Sequence, residues 1–231
     1  MKGETNDLLN AFSTVRVADV RDGMDTMMLH HAGSMWPSIR PLFRTRAVGI
    51  ARTVRYLPYD GVIPSMNPDE YWEWVGTYYR DVCPYPWMDE IEPGDFIVID
   101  ASGVNAGLMG SCNTLEGVKR GAAGYVSNGG VRDTDEIILQ EVPFWSQMIS
   151  QSMAHGRLRY DTRNVPVSVG GVTVHPGDVV VADGDGVVVV PRALALNVAE
   201  YANAEHRRDM ENRRRFYDEL GRKPDDTVAE R

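Results

Sequence analysis

The 231-residue sequence predicts one α/β domain that ends in a long charged helix. Three observations predict it. β-Branched runs such as Phe96-Ile97-Val98-Ile99 and Val187-Val188-Val189-Val190 alternate with stretches of helical periodicity. Pro-Gly-Asp turns at 93–95 and 176–178 each open a strand. No repeat or low-complexity linker divides the chain, so residues 1–231 are expected to form a single domain.

The elements follow in order. Residues 7–31 read as one helix, with Leu8, Leu9, Phe12, Val15, Val20 and Met24 apolar and Asp19, Asp22 and Asp25 on the wetter side. His30 and His31 would close it, because imidazolium suits a helix C-terminus. Residues 46–57 read as a strand ended by Pro58. Residues 58–92 form an aromatic-rich insertion holding Tyr59, Tyr71, Trp72, Trp74, Tyr78, Tyr79, Tyr85 and Trp87. Within it 69–80 is helical, opened by Pro68, and its aromatics would pack on the sheet or serve a lid or subunit contact. Strand 96–100, a Gly- and Asn-rich loop, helix 114–120 and buried strand 123–127 come next. Residues 128–133 turn the chain into a helix over 134–141. Strands are expected at 167–169, 172–174, 179–182 and 187–190. Asp183-Gly184-Asp185-Gly186 reads as a hairpin turn; Val187 and a missing late glutamate do not suit a calcium loop. Residues 194–220 form the C-terminal helix, whose interspersed arginines and acids suit a salt-bridged solvent or subunit face.

Composition excludes several function classes. A net charge of −9 argues against phosphate-backbone binding, so no nucleic-acid partner is expected. No apolar run reaches membrane-span length, and the opening MKGETNDLLN lacks a leader's apolar core, so no membrane partner and a cytoplasmic location are expected. Two cysteines cannot build a disulfide framework or a four-thiolate zinc site. The three lysines, Lys2, Lys119 and Lys223, all lie in polar stretches, which disfavours Schiff-base chemistry. Carbonyl activation would then fall to a metal or to arginine.

Two stretches offer chemistry. In Gly110-Ser111-Cys112-Asn113, a glycine-bearing loop meets a helix start, and the pair Asn113 and Glu116 has capping spacing. Amides at such a start bind carboxylate. Cys112 there reads as a small packed residue. In Gly129-Gly130-Val131-Arg132-Asp133, a buried strand turns into a helix, the edge where α/β sheets bind ligands. Arg132 can grip a carboxylate bidentately, and Asp133 offers a hard oxygen to Mg²⁺.

Several runs together resemble the RraA-like / 4-hydroxy-4-methyl-2-oxoglutarate aldolase family. They are Ser38-Ile39-Arg40-Pro41-Leu42, Ala47 to Val54, Pro93-Gly94-Asp95, Arg120-Gly121-Ala122-Ala123-Gly124, residues 129–136 and residues 176–191. The resemblance implies a swivelling β/β/α fold, assembled as a homotrimer or homohexamer with sites between subunits. It implies a divalent metal, Mg²⁺ or Mn²⁺ or another, held through Asp133. Arg132 would contact a small keto-acid substrate, and Gly110, Ser111, Cys112 and Asn113 would bind it through their amides. Gly107-Leu108-Met109 lies three residues out of register for that loop. The implied activity is that of a lyase, an aldolase on a 4-hydroxy-2-oxo acid or an oxaloacetate decarboxylase, yielding pyruvate, with Arg132 and Asp133 catalytic. Ser111 stands where the aldolases carry an acid, which leaves open another small-acid substrate or reaction. A non-catalytic regulator that binds a ribonuclease is the remaining reading; that branch lacks the aspartate, and Asp133 is present here.

Overall fold

The computed structural model describes residues 2–228. Helices α1 (Lys2–Ala11) and α2 (Val17–Thr26) lead into strands β1 (Arg40–Pro41) and β2 (Ala47–Pro58). Helix α3 (Pro68–Asp81), strands β3 (Asp95–Asp100) and β4 (Gly107–Met109) and helix α4 (Ser111–Arg120) follow. Then come β5 (Gly124–Val131), α5 (Thr134–Leu139), β6 (Phe144–Ile149), β7 (Leu158–Arg163), β8 (Val167–Val169) and β9 (Val172–Val174). Strands β10 (Val179–Asp183) and β11 (Gly186–Val190) precede the long helix α6 (Ala195–Glu219). The expected α/β class and terminal helix are both present. No helix among the described residues is long and apolar enough to cross a membrane.

A nine-stranded mixed sheet runs β1-β6-β5-β3-β2-β10-β11, with β4 added to β5 and β7 added to β2. Its centre is parallel: β2 with β3, β3 with β5, β5 with β6. The sheet curls until its ends nearly meet. The Trp145 indole on β6 donates to the Asp183 carbonyl at the β10–β11 turn at 2.9 Å. Strand alternation sorts side chains to the two faces. Val98, Val126, Val180 and Ala182 fill the inside of the curl with Phe96 and Trp145. Val179 and Val181 face outward onto α1, α2 and α6. Ile97, Ile99 and Tyr125 face outward under Tyr78 of α3 and Trp87. Burial on both faces is why these strands read as continuous apolar runs.

Four local expectations are corrected. The helix expected over 7–31 is broken, because the Arg46 guanidinium takes the carbonyls of Phe12, Ser13 and Val15. The chain restarts where the Asp19 carboxylate accepts the Arg16 amide at 2.8 Å. Asp19 is therefore buried, not on the wetter side, and also holds the His206 ring at 2.8 Å. His30 and His31 are exposed and lie beyond the end of α2 rather than closing it. Finally, Gly129, Gly130 and Val131 belong to β5, not to a turn. A Cβ at Gly129 or Gly130 would stand 2.6 Å from Ala101 Cβ or 2.7 Å from Ser150 Cβ.

The aromatic segment is anchored by α3. Asn67 Oδ1 accepts the Asp69 and Glu70 amides, Glu70 accepts the Asn67 amide, and Pro68 opens the first turn. Tyr78 and Trp87 are fully buried, so the segment packs on the sheet as expected. The β10–β11 connection is a hairpin, as expected for residues 183–186. Along α6, Arg208 pairs with Glu205 and Arg213 with Asp209.

Candidate active site

Arg132 and Asp133 follow directly on β5, at the carboxyl end of a strand flanked by β3, β4 and β6. The Arg132 amide donates to the Met109 carbonyl at 3.0 Å, which ties this corner to the end of β4. Asp133 adopts φ +54°, a left-handed conformation that aspartate tolerates better than most residues. That turn swings its carboxylate back toward β4 and the start of α4. Close approach there depends on two glycines. A Cβ at Gly107 would lie 2.7 Å from Arg132 Cγ, and one at Gly110 would lie 2.5 Å from Asp133 Oδ2.

The carboxylate is fully directed. Oδ1 accepts from Arg132 Nε at 3.0 Å. Oδ2 accepts from the Ser111 amide at 3.2 Å and its hydroxyl at 3.4 Å. Partial burial works against its charge, but Arg132 and Ser111 outweigh burial and hold the Asp133 carboxyl below the usual aspartate range. Asp133 thus caps α4 from another part of the chain. The capping spacing of Asn113 and Glu116 is not used: α4 begins at Ser111, after Gly110, without a side-chain cap from its own sequence. Glu116 instead accepts from Arg120 at 2.8 Å. Of the first amides of α4, which have no partner inside the helix, Ser111 is taken by Asp133 and those of Cys112 and Asn113 remain for a ligand.

These residues border one cavity of about 280 Å³, lined in part by Gly110, Cys112, Asn113, Arg132 and Asp133. The structure therefore brings the two expected stretches together, with Ser111 behind Asp133. Cys112 is exposed in the cavity wall, not packed as expected. Gly107 and Leu108, out of register for the binding loop, also line it, and Tyr79, Tyr85 and Met153, which escaped sequence reasoning, complete the lining. A tyrosine-rich helix after Pro68 was the available signal, but nothing in its spacing says which ring faces a ligand. Burial raises the Tyr79 and Tyr85 phenols, so both stay protonated. Lys119 and Lys223 are exposed, which agrees with chemistry that needs no buried lysine.

The donors in the lining limit which metal would suit the cavity. Among the described residues, no group of three His, Cys, Asp or Glu side chains converges to bind one. Asp133 is the one carboxylate in the lining, and a carboxylate oxygen that accepts hydrogen bonds keeps further lone-pair capacity. A hard cation that keeps its waters and takes substrate oxygens suits such a donor; a closed zinc site does not.

The chain is similar to known proteins along most of its length. The family described as RraA-like, Aldolase/RraA, matches residues 17–189. A Halalkalibacterium halodurans protein named "Putative 4-hydroxy-4-methyl-2-oxoglutarate aldolase" is 28% identical over 221 residues, covering 93% of this chain and 90% of its own. A solved structure from Pseudomonas syringae pv. tomato str. DC3000 superposes with TM-score 0.73 at 27% identity, over 94% of both chains. RraAS2 of Streptomyces coelicolor, described as an unusual member of the RNase ES inhibitor RraA protein family, superposes with TM-score 0.71 at 25% identity. That match covers 90% of this chain and 96% of RraAS2.

Proposed function

The chain belongs to the RraA-like family, and on that premise we propose that it is a divalent-metal-dependent carbon–carbon lyase releasing pyruvate from a small 2-oxo acid. The observation that supports it most is the meeting of Asp133, Arg132 and the open amides of α4 in one cavity. Cleaving a bond beside a 2-oxo group leaves an electron pair that delocalises onto the 2-oxo oxygen. That negative charge needs fixed positive partners.

Asp133 would hold Mg²⁺ or Mn²⁺, which when bound supplies Lewis acidity toward the 2-oxo and carboxylate oxygens. The remaining roles fall to the chain. Arg132 spends Nε on Asp133, which leaves its two terminal nitrogens to grip a substrate carboxylate or the developing oxyanion. The Cys112 and Asn113 amides bind carboxylate oxygens at the positive end of α4. Ser111 keeps Asp133 ionised and aimed. Oxaloacetate decarboxylation and retro-aldol cleavage need the same stabilisation, because both leave the electron pair on the carbon next to the 2-oxo group.

The test is pyruvate release from oxaloacetate with Mg²⁺ or Mn²⁺, with and without chelator, in the wild type and Asp133→Ala. Turnover that needs both metal and Asp133 is expected. Turnover independent of either removes the proposal. No turnover, together with tight binding of a ribonuclease, would move the function to that of a regulator. Assembly as a trimer or hexamer belongs to the same proposal, and light scattering tests it.

A further inference from the structure

We infer that the substrate carries one carboxylate and an uncharged aromatic group on C4, so that the products are pyruvate and an aryl aldehyde. This deepens the lyase reading and rests on it. Two features of the cavity lead here. The first is charge. Arg132 is the one cation among the lining residues, and Asp133 already draws on it. A 2-oxoglutarate derivative carries its second carboxylate beyond C4, against the remaining wall, where the lining residues offer no cation; that of oxaloacetate is C4 itself and leaves as CO2. Desolvating an unpaired carboxylate is strongly unfavourable.

The second feature is the remaining wall. Tyr79 and Tyr85 stack with ring centroids 6.3 Å apart and planes at 26°. Leu108 and Met153 adjoin them in the lining. The Tyr85 hydroxyl is spent on the Leu108 carbonyl at 2.7 Å and on the Asn113 side chain, and the Tyr79 hydroxyl meets the backbone of Ala154 and His155. With their hydroxyls engaged by the protein, both residues offer the cavity ring surface. Aromatic rings prefer offset or edge contact with another ring, and a thioether adds a favourable edge contact. A phenyl-sized group on C4 matches this wall; a carboxymethyl group does not.

The chemistry balances without a redox partner. In a 4-hydroxy-2-oxo-4-arylbutanoate the C3–C4 bond breaks and its electron pair stays on C3. The C4 hydroxyl gives up its proton as the aldehyde C=O forms, and C3 takes up a proton to become the methyl of pyruvate.

The experiment uses the full chain with Mg²⁺ and compares kcat/KM for 4-hydroxy-2-oxo-4-phenylbutanoate and 4-hydroxy-4-methyl-2-oxoglutarate, with oxaloacetate as the gauge of lyase activity. Calorimetry compares two acids that cannot be cleaved this way, 2-oxo-4-phenylbutanoate and 2-oxoglutarate. The aryl compound is expected to lead by about tenfold or more in both measurements, the scale of one good aromatic contact plus an avoided unpaired charge. Tyr79→Ala should bring that ratio toward one, and Tyr79→Phe should keep it. If oxaloacetate is cleaved but the dicarboxylate equals or beats the aryl substrate, this inference falls and the lyase reading stands. If no compound is cleaved, the lyase reading falls. Calorimetry then decides aromatic recognition alone, and an aryl acid that binds no tighter overturns it.

Discussion

The carboxylate of Asp133 closes the N-terminus of a helix that starts 22 residues earlier, accepting the Ser111 amide at 3.2 Å and the Ser111 hydroxyl at 3.4 Å. The helix gives one amide to the acid and keeps the next two for a ligand. The arrangement lowers the Asp133 titration despite partial burial, so the ionised form persists to more acidic pH than for ordinary aspartate. Ser111→Ala removes the hydroxyl but leaves the amide and Arg132. It should move the acidic limb of the kcat/KM profile for pyruvate release upward in pH without abolishing turnover. Asp133→Asn removes the charge itself and should cost roughly a hundredfold or more, the scale of deleting one preorganised electrostatic group. Superimposable pH profiles for wild type and Ser111→Ala would show that the hydroxyl has no hold on the carboxylate.

Much of this was legible because it rests on local chemistry. Phe96 to Ile99 and Val187 to Val190 are strands buried on both faces, and such strands announce themselves as apolar runs. The Arg132-Asp133 corner was legible as a strand-to-helix junction. What escaped depends on contacts distant in sequence. Arg46 breaks the first helix by taking carbonyls some thirty positions away, which periodicity over 7–31 cannot register. Strand β4 is only Gly107–Met109 and exists by pairing with β5. Asn113 looked like the cap of its helix because a tertiary cap, Asp133, leaves no signature in the neighbouring sequence. The Tyr79 and Tyr85 wall was hidden for the same reason: the aromatics of α3 range from the exposed Trp72 to the buried Tyr78, Tyr85 follows in the loop, and only the fold decides which meet the cavity.

Cys112 and Cys83 should separate cleanly under alkylation. Cys112 is exposed in the cavity wall, whereas Cys83 is buried and its thiol is pushed up to about 12 by that burial. Only the thiolate is reactive. Iodoacetamide at pH 7.5 should label Cys112 alone, and oxaloacetate with Mg²⁺ should protect it. Peptide mass spectrometry reads both. Equal labelling with and without ligand would argue that the ligand does not reach the start of α4.

His155 gives the fold an acid-side weakness. It is buried, its ring meets Tyr71, Trp74, Tyr78 and Tyr79 edge-on, and its Nδ1 has no hydrogen-bond partner. Burial, then the charges of Arg157 and Arg132, lowers its titration in the folded state. The unfolded chain therefore takes the proton more readily, so stability is complete above about pH 6.5 and falls as pH drops from there to the depressed value. His155→Gln keeps a polar partner for the Tyr71 hydroxyl but cannot take up charge. Its Tm should change less than that of the wild type between pH 7 and pH 5. Parallel curves would assign the acid sensitivity to another group.

Gly110 supports the geometry by what it lacks. Its backbone is extended, at φ −135°, so alanine would be tolerated there on conformational grounds alone. The obstacle is the Asp133 carboxylate, 2.5 Å from where a Cβ would sit. Gly110→Ala should therefore leave the far-UV circular dichroism intact and displace the acid from Ser111. Pyruvate release should fall by about tenfold or more, since even an ångström of misplacement at a reacting centre is costly. Gly107→Ala acts on the neighbouring contact, where the obstacle is the aliphatic stem of Arg132 at 2.7 Å. The Arg132 Cβ, at 2.8 Å, is fixed by the backbone, so the arginine must shift as a whole, and the effect should fall mainly on KM through the carboxylate grip. Kinetics of the two variants on oxaloacetate separate the roles. A loss confined to KM in Gly110→Ala would mean that Asp133 binds substrate and does not take part in the cleavage step.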